Sequence, residues 1–237
     1  MLSDTGYLFR DDVHDFLSRL RDYMRARLAD RADVIGKVSD AAKGKDYEAS
    51  MVGEFILPVL NRFLAEQETK HLNGKRPEDV MLAEPTSARP KYAADTPVRA
   101  PGHPFQKVIA AKPKEIFARW KGGELNKPKS AFCQVCPDLA LTSPYGVVFE
   151  CKYFRTPGHE PATDALVKGL YETFFYRAMP PGRQSRAGRT NWNYDYACFF
   201  AYDASANFRL VKAWNEVKER VEEPFWSEGN IFVMMLP

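Results

Sequence analysis

Apolar side chains in the first part of the chain recur every three or four residues, which is the spacing of an amphipathic helix. Over residues 7–33 these positions are Val13, Phe16, Leu17, Leu20, Met24 and Leu28. The opposite face alternates Arg and Asp and is typical of a solvated helix surface. A second helix is predicted from about Asp46 to Leu64, with Pro58 inside it as an expected kink.

From Ala131 onward, short apolar runs bounded by turn residues predict strands. A hairpin is predicted from strands over 132–141 and 147–154 and the turn Thr142-Ser143-Pro144-Tyr145-Gly146. A helix over 163–178, a strand over 194–202, a helix over 207–222 and a strand over 230–236 follow. This order predicts a mixed α/β fold with an antiparallel hairpin near its centre.

The segment 85–130 has a different composition. It contains seven Pro, and its ten Lys and Arg against three acids give it a net charge of +7. The whole chain carries +3, so the rest of the chain carries −4. We interpret it as a basic, Pro-rich insertion, either a solvated loop region or a surface for polyanions. We predict one domain over 1–237, with an N-terminal helical segment (1–44) and a core formed by 45–84 and 131–237.

Composition excludes some classes of protein. No apolar run approaches the ~18 residues of a membrane span, and the N-terminus does not have the pattern of a secretory signal. Four Cys in 237 residues form no disulfide framework, which favours a reducing, cytoplasmic location.

The second strand of the hairpin carries the candidate chemistry. Alternation places Val147, Phe149, Cys151 and Tyr153 on one face, expected to be core, and Val148, Glu150 and Lys152 on the other. With a loop of residues 142–146, Leu141 pairs with Val147, and Asp138 lies opposite Glu150. Opposed residues have Cβ atoms about 4.5–5.5 Å apart, so these carboxylates repel unless a cation lies between them. Mg²⁺, with Mn²⁺ as a substitute, is the expected cofactor because it prefers oxygen ligands.

An alternative is that Glu150 and Lys152 form a solvated strand face and that Asp138 pairs with an Arg. Glu-x-Lys also occurs at 68–70 and 216–218. Those copies lie in polar or helical context, however, and only the copy at 150–152 lies in an apolar strand.

Cys136-Pro137-Asp138, a short hairpin and then Phe149-Glu150-Cys151-Lys152 together resemble the PD-(D/E)xK nuclease superfamily, over roughly residues 45–202. The resemblance implies a restriction-endonuclease-like fold, a mixed central sheet flanked by helices. It implies that Asp138 and Glu150, with the carbonyl of Cys151, bind Mg²⁺ and that Lys152 assists the attacking water. It does not account for the N-terminal helix or the basic insertion.

In that family a preceding helix supplies a further Glu, and a Gln or Lys on the following helix often lines the site. A helical wheel places Glu48 on the apolar face of the 46–64 helix and Glu54 outside it, so Glu48 is the catalytic candidate and Glu54 the reserve. Glu48 could instead pair with a Lys or Arg, or lie at a frayed helix start. Lys168, at the edge of the apolar face of the 163–178 helix, is the corresponding candidate there.

Two other segments carry residues with possible binding roles. Pro180 to Asn193 contains Arg183, Arg186 and Arg189 without an acid, which suits contacts with DNA phosphates or base edges, or else a surface loop. Cys133-Gln134-Val135-Cys136 would need two more ligands for zinc, from Cys151, Cys198, His103 and His159. Its strand context favours buried thiols instead.

The predicted function is that of a Mg²⁺-dependent endonuclease that hydrolyses DNA phosphodiester bonds, most simply a type II restriction endonuclease. Its partner would be double-stranded DNA, and a palindromic target would favour a homodimer. The alternatives are a structure-specific repair or recombination nuclease and a non-catalytic nucleic-acid-binding protein on the same fold.

Overall fold

The computed structural model describes residues 7–44, 46–83, 137–155, 161–178 and 194–237. The basic insertion, the Cys133–Cys136 pair and the three arginines at 183, 186 and 189 lie outside the described residues. Predictions made for those segments therefore stay predictions.

The N-terminal segment forms two helices, so the prediction of one helix over 7–33 is wrong. Helix α1 spans Arg10–Arg27 and helix α2 spans Arg31–Ala42. The break is local, because the carboxylate of Asp30 accepts a hydrogen bond from the backbone N–H of Asp33 (3.1 Å) and caps α2.

The second helical region contains the expected distortion in the form of a wide turn. Helix α3 spans Tyr47–Met51, a π-helical turn spans Val52–Ile56, and helix α4 spans Leu57–Gln67. Pro58 has no N–H to donate, and its ring conflicts with the carbonyl four residues earlier, so the hydrogen-bond pattern changes just before it.

The rest of the described chain alternates short helices and strands. The helix predicted over 207–222 is instead two helices. The first ends at Asn215, where the N–H of Val217 bonds to the carbonyl of Trp214 (3.0 Å), and the second extends to Gly229. The remaining elements are α5 (Thr69–Leu72), α6 (Pro77–Val80), β1 (Met81–Ala83), β2 (Leu139–Leu141), β3 (Val147–Phe154), α7 (Ala162–Ala178), β4 (Tyr196–Asp203), α8 (Arg209–Asn215), α9 (Lys218–Gly229) and β5 (Ile231–Leu236).

The strands form one mixed sheet in the order β1-β2-β3-β4-β5, which confirms a mixed α/β fold. Strands β1, β2 and β3 are antiparallel, and β3, β4 and β5 are parallel. β1 was not predicted from the sequence. The predicted hairpin register is confirmed: Leu141 pairs with Val147, and Leu139 pairs with Phe149.

Both faces of the sheet are covered. Helix α1 and the α3–α4 region pack on the face that carries Phe149 and Cys151, and α7, α8 and α9 pack on the face that carries Val148. A sheet buried on both faces is usual where strands are parallel. The face of Glu150 is therefore an interior face and not a solvated one, and Glu150 is only 4% exposed. None of the helices in the described segments is long and apolar enough to cross a membrane.

Strand lengths decide where the site lies. β2 begins at Leu139, so it pairs with only the first three residues of β3. From Glu150 onward, the β2 side of β3 is therefore lined by side chains that approach from other elements.

Candidate functional site

Lys152 lies at the centre of a charged cluster beside β3. Its Nζ is 2.9 Å from a carboxylate oxygen of Glu150, 3.4 Å from one of Glu48 and 3.4 Å from one of Glu172. Only 14% of the Lys152 side chain is exposed. These contacts join β3 to α3 on one side and to α7 on the other.

Asp138 occupies the edge of β3 that β2 leaves open. Its Oδ2 accepts a hydrogen bond of 2.6 Å from the backbone N–H of Cys151. The register places Asp138 one position beyond the last β2–β3 pair, which is why its carboxylate reaches the backbone between Glu150 and Lys152. In an extended strand, the N–H and C=O of one residue point to the same side, so the carbonyl of Cys151 faces this edge as well.

Glu48 reaches the cluster from the first turn of α3. The carboxylate of Asp46 accepts a hydrogen bond from the N–H of Ala49 (3.0 Å), which starts the helix and fixes the position of this turn. Glu48 is about half-buried, with 40% of its side chain exposed, and it contacts Lys152. Glu54, the reserve candidate, is exposed on the π-helical turn.

Glu172 belongs to the cluster and was missed by sequence reasoning. It lies on α7, one turn after Lys168, and 16% of its side chain is exposed. The sequence contains a signal for Glu172: it follows Lys168 by four residues, and residues four apart share a helix face. Lys168 is half-buried, and its charge acts on Glu48, where it favours the ionised carboxylate.

The close approach of α7 to the sheet depends on Gly169. A Cβ at that position would lie 2.2 Å from the ring of Phe199 on β4, closer than real contacts allow. The missing side chain therefore lets α7 pack tightly on the sheet, and the neighbouring Lys168 and Glu172 are brought over β3.

Burial disfavours the ionised forms of three acids of the cluster, Asp138, Glu150 and Glu48. Burial raises the pKa of Asp138 to about 6, although the hydrogen bond from the N–H of Cys151 opposes the shift. Burial is also the largest cause that raises the pKa of Glu150 well above its ordinary value; Asp138 and Glu172 add to the shift, and Lys152 opposes it. Burial likewise raises the pKa of Glu48, and Lys152 opposes it.

For Lys152, in contrast, the charged form is favoured. Burial disfavours its ammonium form, but the negative charges of Glu150, Glu48 and Glu172 outweigh burial and raise the pKa of Lys152. Lys152 is therefore a fixed positive charge, and as an ammonium it has no lone pair with which to act as a base. Three carboxyl groups contact this one ammonium group and Asp138 lies near Glu150, so the acids outnumber the cation that they share, although Lys168 offsets part of the excess at Glu48.

The donor set suits a hard divalent cation. Asp138 and Glu150 offer carboxylate oxygens, and the Cys151 carbonyl faces the same edge. Within the described ranges, no group of three or more His, Cys, Asp or Glu side chains is arranged to hold a metal ion. Mg²⁺ is usually held by only one or two carboxylates, and water and substrate phosphates complete its coordination. Two carboxylates are therefore enough for Mg²⁺.

Comparisons of the chain with family models, with curated proteins and with solved structures found no match. Function is therefore inferred from the geometry and the chemistry of the site itself.

Proposed function

We propose that the protein is a Mg²⁺-dependent endonuclease that hydrolyses phosphodiester bonds of double-stranded DNA. One observation carries the proposal: Lys152 contacts Glu150 and Glu48, while Asp138 is hydrogen-bonded to the backbone between Glu150 and Lys152. These residues come from α3, the start of the hairpin and β3. A cluster with more carboxylates than ammonium groups, in which Glu150 is buried and the other acids are partly buried, is costly to fold unless it binds something positive.

The order of elements supports a restriction-endonuclease-like fold within the mixed α/β class. A helix that carries Glu48 precedes the hairpin, the hairpin carries Asp138, Glu150 and Lys152, and α7 follows it. This is the arrangement that the resemblance to the PD-(D/E)xK nucleases implies.

Asp138 and Glu150, with the carbonyl of Cys151, would hold Mg²⁺. When bound, the ion supplies Lewis-acid polarisation of the phosphate and a lowered pKa for a coordinated water. Asp138 is already fixed for this role by its 2.6 Å hydrogen bond to the backbone of β3.

The side chains supply positioning and charge. The carboxylates of Glu48, Glu150 and Glu172 hold the Lys152 ammonium at one point, and burial limits its alternative positions. A positive charge fixed there stabilises negative charge that develops on phosphate oxygens, and an ammonium N–H orients a water by donating to it. Because Lys152 keeps its proton, we propose that it positions the water and does not deprotonate it.

One observation favours a second candidate, a non-catalytic nucleic-acid-binding protein. Lys152 makes three contacts with carboxylates, and such a set is able to serve as a closed ion-pair network that only joins α3, β3 and α7. The unequal charge count argues against this candidate, because a purely structural network is most stable when its charges balance.

The test is incubation of mixed plasmid and phage DNA with the protein in Mg²⁺, in Mn²⁺ and in EDTA. Discrete fragments that need the metal support a restriction endonuclease, and we expect that enzyme to act as a homodimer on palindromic sites. Smears or nicks that depend on DNA structure support a repair nuclease. Binding that weakens with salt, without any cleavage, supports the non-catalytic candidate and overturns the proposal.

A further inference from the structure

We propose that Arg155, stacked on Tyr47, binds a backbone phosphate of the cleaved DNA strand, a few nucleotides from the phosphate that is cleaved. The inference rests on the proposed nuclease function. It adds a DNA contact inside the described part of the chain, separate from the arginines at 183, 186 and 189.

The side chain of Arg155 lies at the end of a column of aromatic rings. Its guanidinium carbon is 3.9 Å from the centroid of the Tyr47 ring. The Tyr47 ring is nearly parallel to that of Tyr153 (8°, centroids 6.2 Å apart), and Tyr153 is nearly parallel to Tyr202 (2°, 6.1 Å). The column runs from Tyr202, which is fully buried, to Arg155, which is exposed. It therefore fixes a surface cation on a rigid interior support.

A guanidinium that stacks through its face keeps its N–H donors, which lie in its plane, available for a ligand. Those donors form a fork that matches two oxygens of one phosphate. In the described segments, no carboxylate lies within ion-pair distance of Arg155, whereas Arg19, Arg62 and Arg76 are each paired with acids. Stacking also restricts the side chain before binding, so less conformational entropy is lost on binding.

The position of the pair relative to the cluster suits this role. Tyr47 directly precedes Glu48, and Arg155 follows Lys152 by three residues. Three residues of extended chain span about 10 Å, and successive nucleotides of a duplex strand are about 3.4 Å apart along the helix axis. The backbone of Arg155 is therefore within the span of a few nucleotides from that of Lys152, and the adjacent residues Tyr47 and Glu48 link the stacked guanidinium to the cluster.

The charge of the cluster explains why such a contact is needed. The ionised carboxyl groups of the cluster repel the phosphates of an approaching strand until a metal ion is bound. A cation fixed beside the cluster offsets this repulsion and orients the strand on the side of α3.

The decisive measurement is the salt dependence of duplex binding in EDTA, where no cleavage occurs, for Arg155→Ala and the wild-type protein. Loss of one phosphate contact is expected to weaken binding about tenfold and to reduce the slope of log affinity against log salt by about 0.9. Arg209→Ala is the matched control, because its guanidinium also lies over an aromatic ring, 5.7 Å from the centroid of Phe154, which packs in the core on the opposite face of the sheet. The control should keep the wild-type slope.

Three further variants separate charge from geometry. Arg155→Lys keeps the charge and loses the planar fork, so it should keep most of the salt-dependence slope and bind duplex DNA more weakly.

Tyr47→Phe keeps the stacked ring and should bind duplex DNA like the wild type, while Tyr47→Leu removes the ring and should bind more weakly. If Arg155→Ala proves unfolded by circular dichroism, Arg155→Lys decides, and wild-type affinity in that variant overturns the proposal.

The outcomes distinguish this inference from the proposed function. If the wild type cleaves DNA in Mg²⁺ and Arg155→Ala keeps the wild-type slope, the Arg155 site is overturned and the nuclease stands. If the wild type neither cleaves nor binds duplex DNA, both are overturned.

Discussion

Gly169 on α7 lies against the ring of Phe199 on β4, so closely that an added Cβ would be 2.2 Å from a ring carbon. Neither residue belongs to the charged cluster. Their contact nevertheless sets the distance between α7 and the sheet, and Glu172 reaches Lys152 across that distance. The geometry of the candidate site therefore depends on a packing contact in the core behind it.

Gly169→Ala should displace α7 from the sheet. We expect a loss of about 1–3 kcal/mol in the free energy of unfolding, which is typical of overpacking a core, together with reduced cleavage. Gly36→Ala is the control, since no atom lies within 4 Å of a Cβ there and the residue is inside α2. The control should be neutral, or more stable by up to about 1 kcal/mol, because Ala is the better helix former. Denaturant unfolding of both variants checks the difference, and equal stabilities would contradict the packing explanation.

Asp138→Asn should abolish cleavage, with a fall of at least about 100-fold, and leave DNA binding largely intact. It should leave the stability of the metal-free protein equal or higher. The reason is that Asp138, which is partly buried, lies near Glu150 and raises the pKa of that neighbour, while an Asn oxygen still accepts the hydrogen bond from the N–H of Cys151. Thermal unfolding in EDTA and a cleavage assay in Mg²⁺ test both parts. Normal cleavage by Asp138→Asn would refute the site.

Lys152→Ala should also abolish cleavage, but its effect on stability should be the opposite. Removal of the ammonium leaves the buried carboxyl of Glu150 and its neighbours Glu48 and Glu172 without their shared partner, which should cost about 3 kcal/mol in the metal-free protein. Because metal binding is spared, Mg²⁺ or Ca²⁺ should raise the unfolding temperature of Lys152→Ala more than that of the wild type. An equal shift in both proteins would show that the cation does not bind among these acids.

Glu48→Gln should reduce cleavage strongly, whereas Glu54→Gln should not. Glu48 contacts Lys152, while Glu54 is exposed on the π-helical turn of the same helical region, so the pair forms a matched comparison. Cleavage rates at saturating Mg²⁺ decide between them. A greater loss from Glu54→Gln would remove α3 from the site.

Local sequence features were sufficient to predict the register of the hairpin; Glu48 lies nearer the sheet than Glu54, but it is only half-buried and pairs with Lys152, as its alternative interpretation allowed. Strand alternation and a five-residue turn between residues 141 and 147 determine the register, because shifting it by one residue would move every side chain to the opposite face. Helical periodicity places Glu48 and Glu54 on different faces of the helix, because each residue turns by about 100°. The break before Asp30 had a local signal too, since Asp is a preferred N-cap residue, but the continuous apolar spacing across it concealed the signal.

Tertiary structure decided what surrounds that hairpin. β1 is three residues long, too short for a periodic pattern, and it exists because it pairs with β2. Whether the face of Glu150 meets water or a helix depends on where α7 packs, and Glu172 enters the cluster only through that packing. Backbone geometry fixes which residues share a strand face or a helix face, so this can be read directly from the residue spacing. Only the fold decided which charges meet around Lys152, because those contacts join residues from position 48 to position 172.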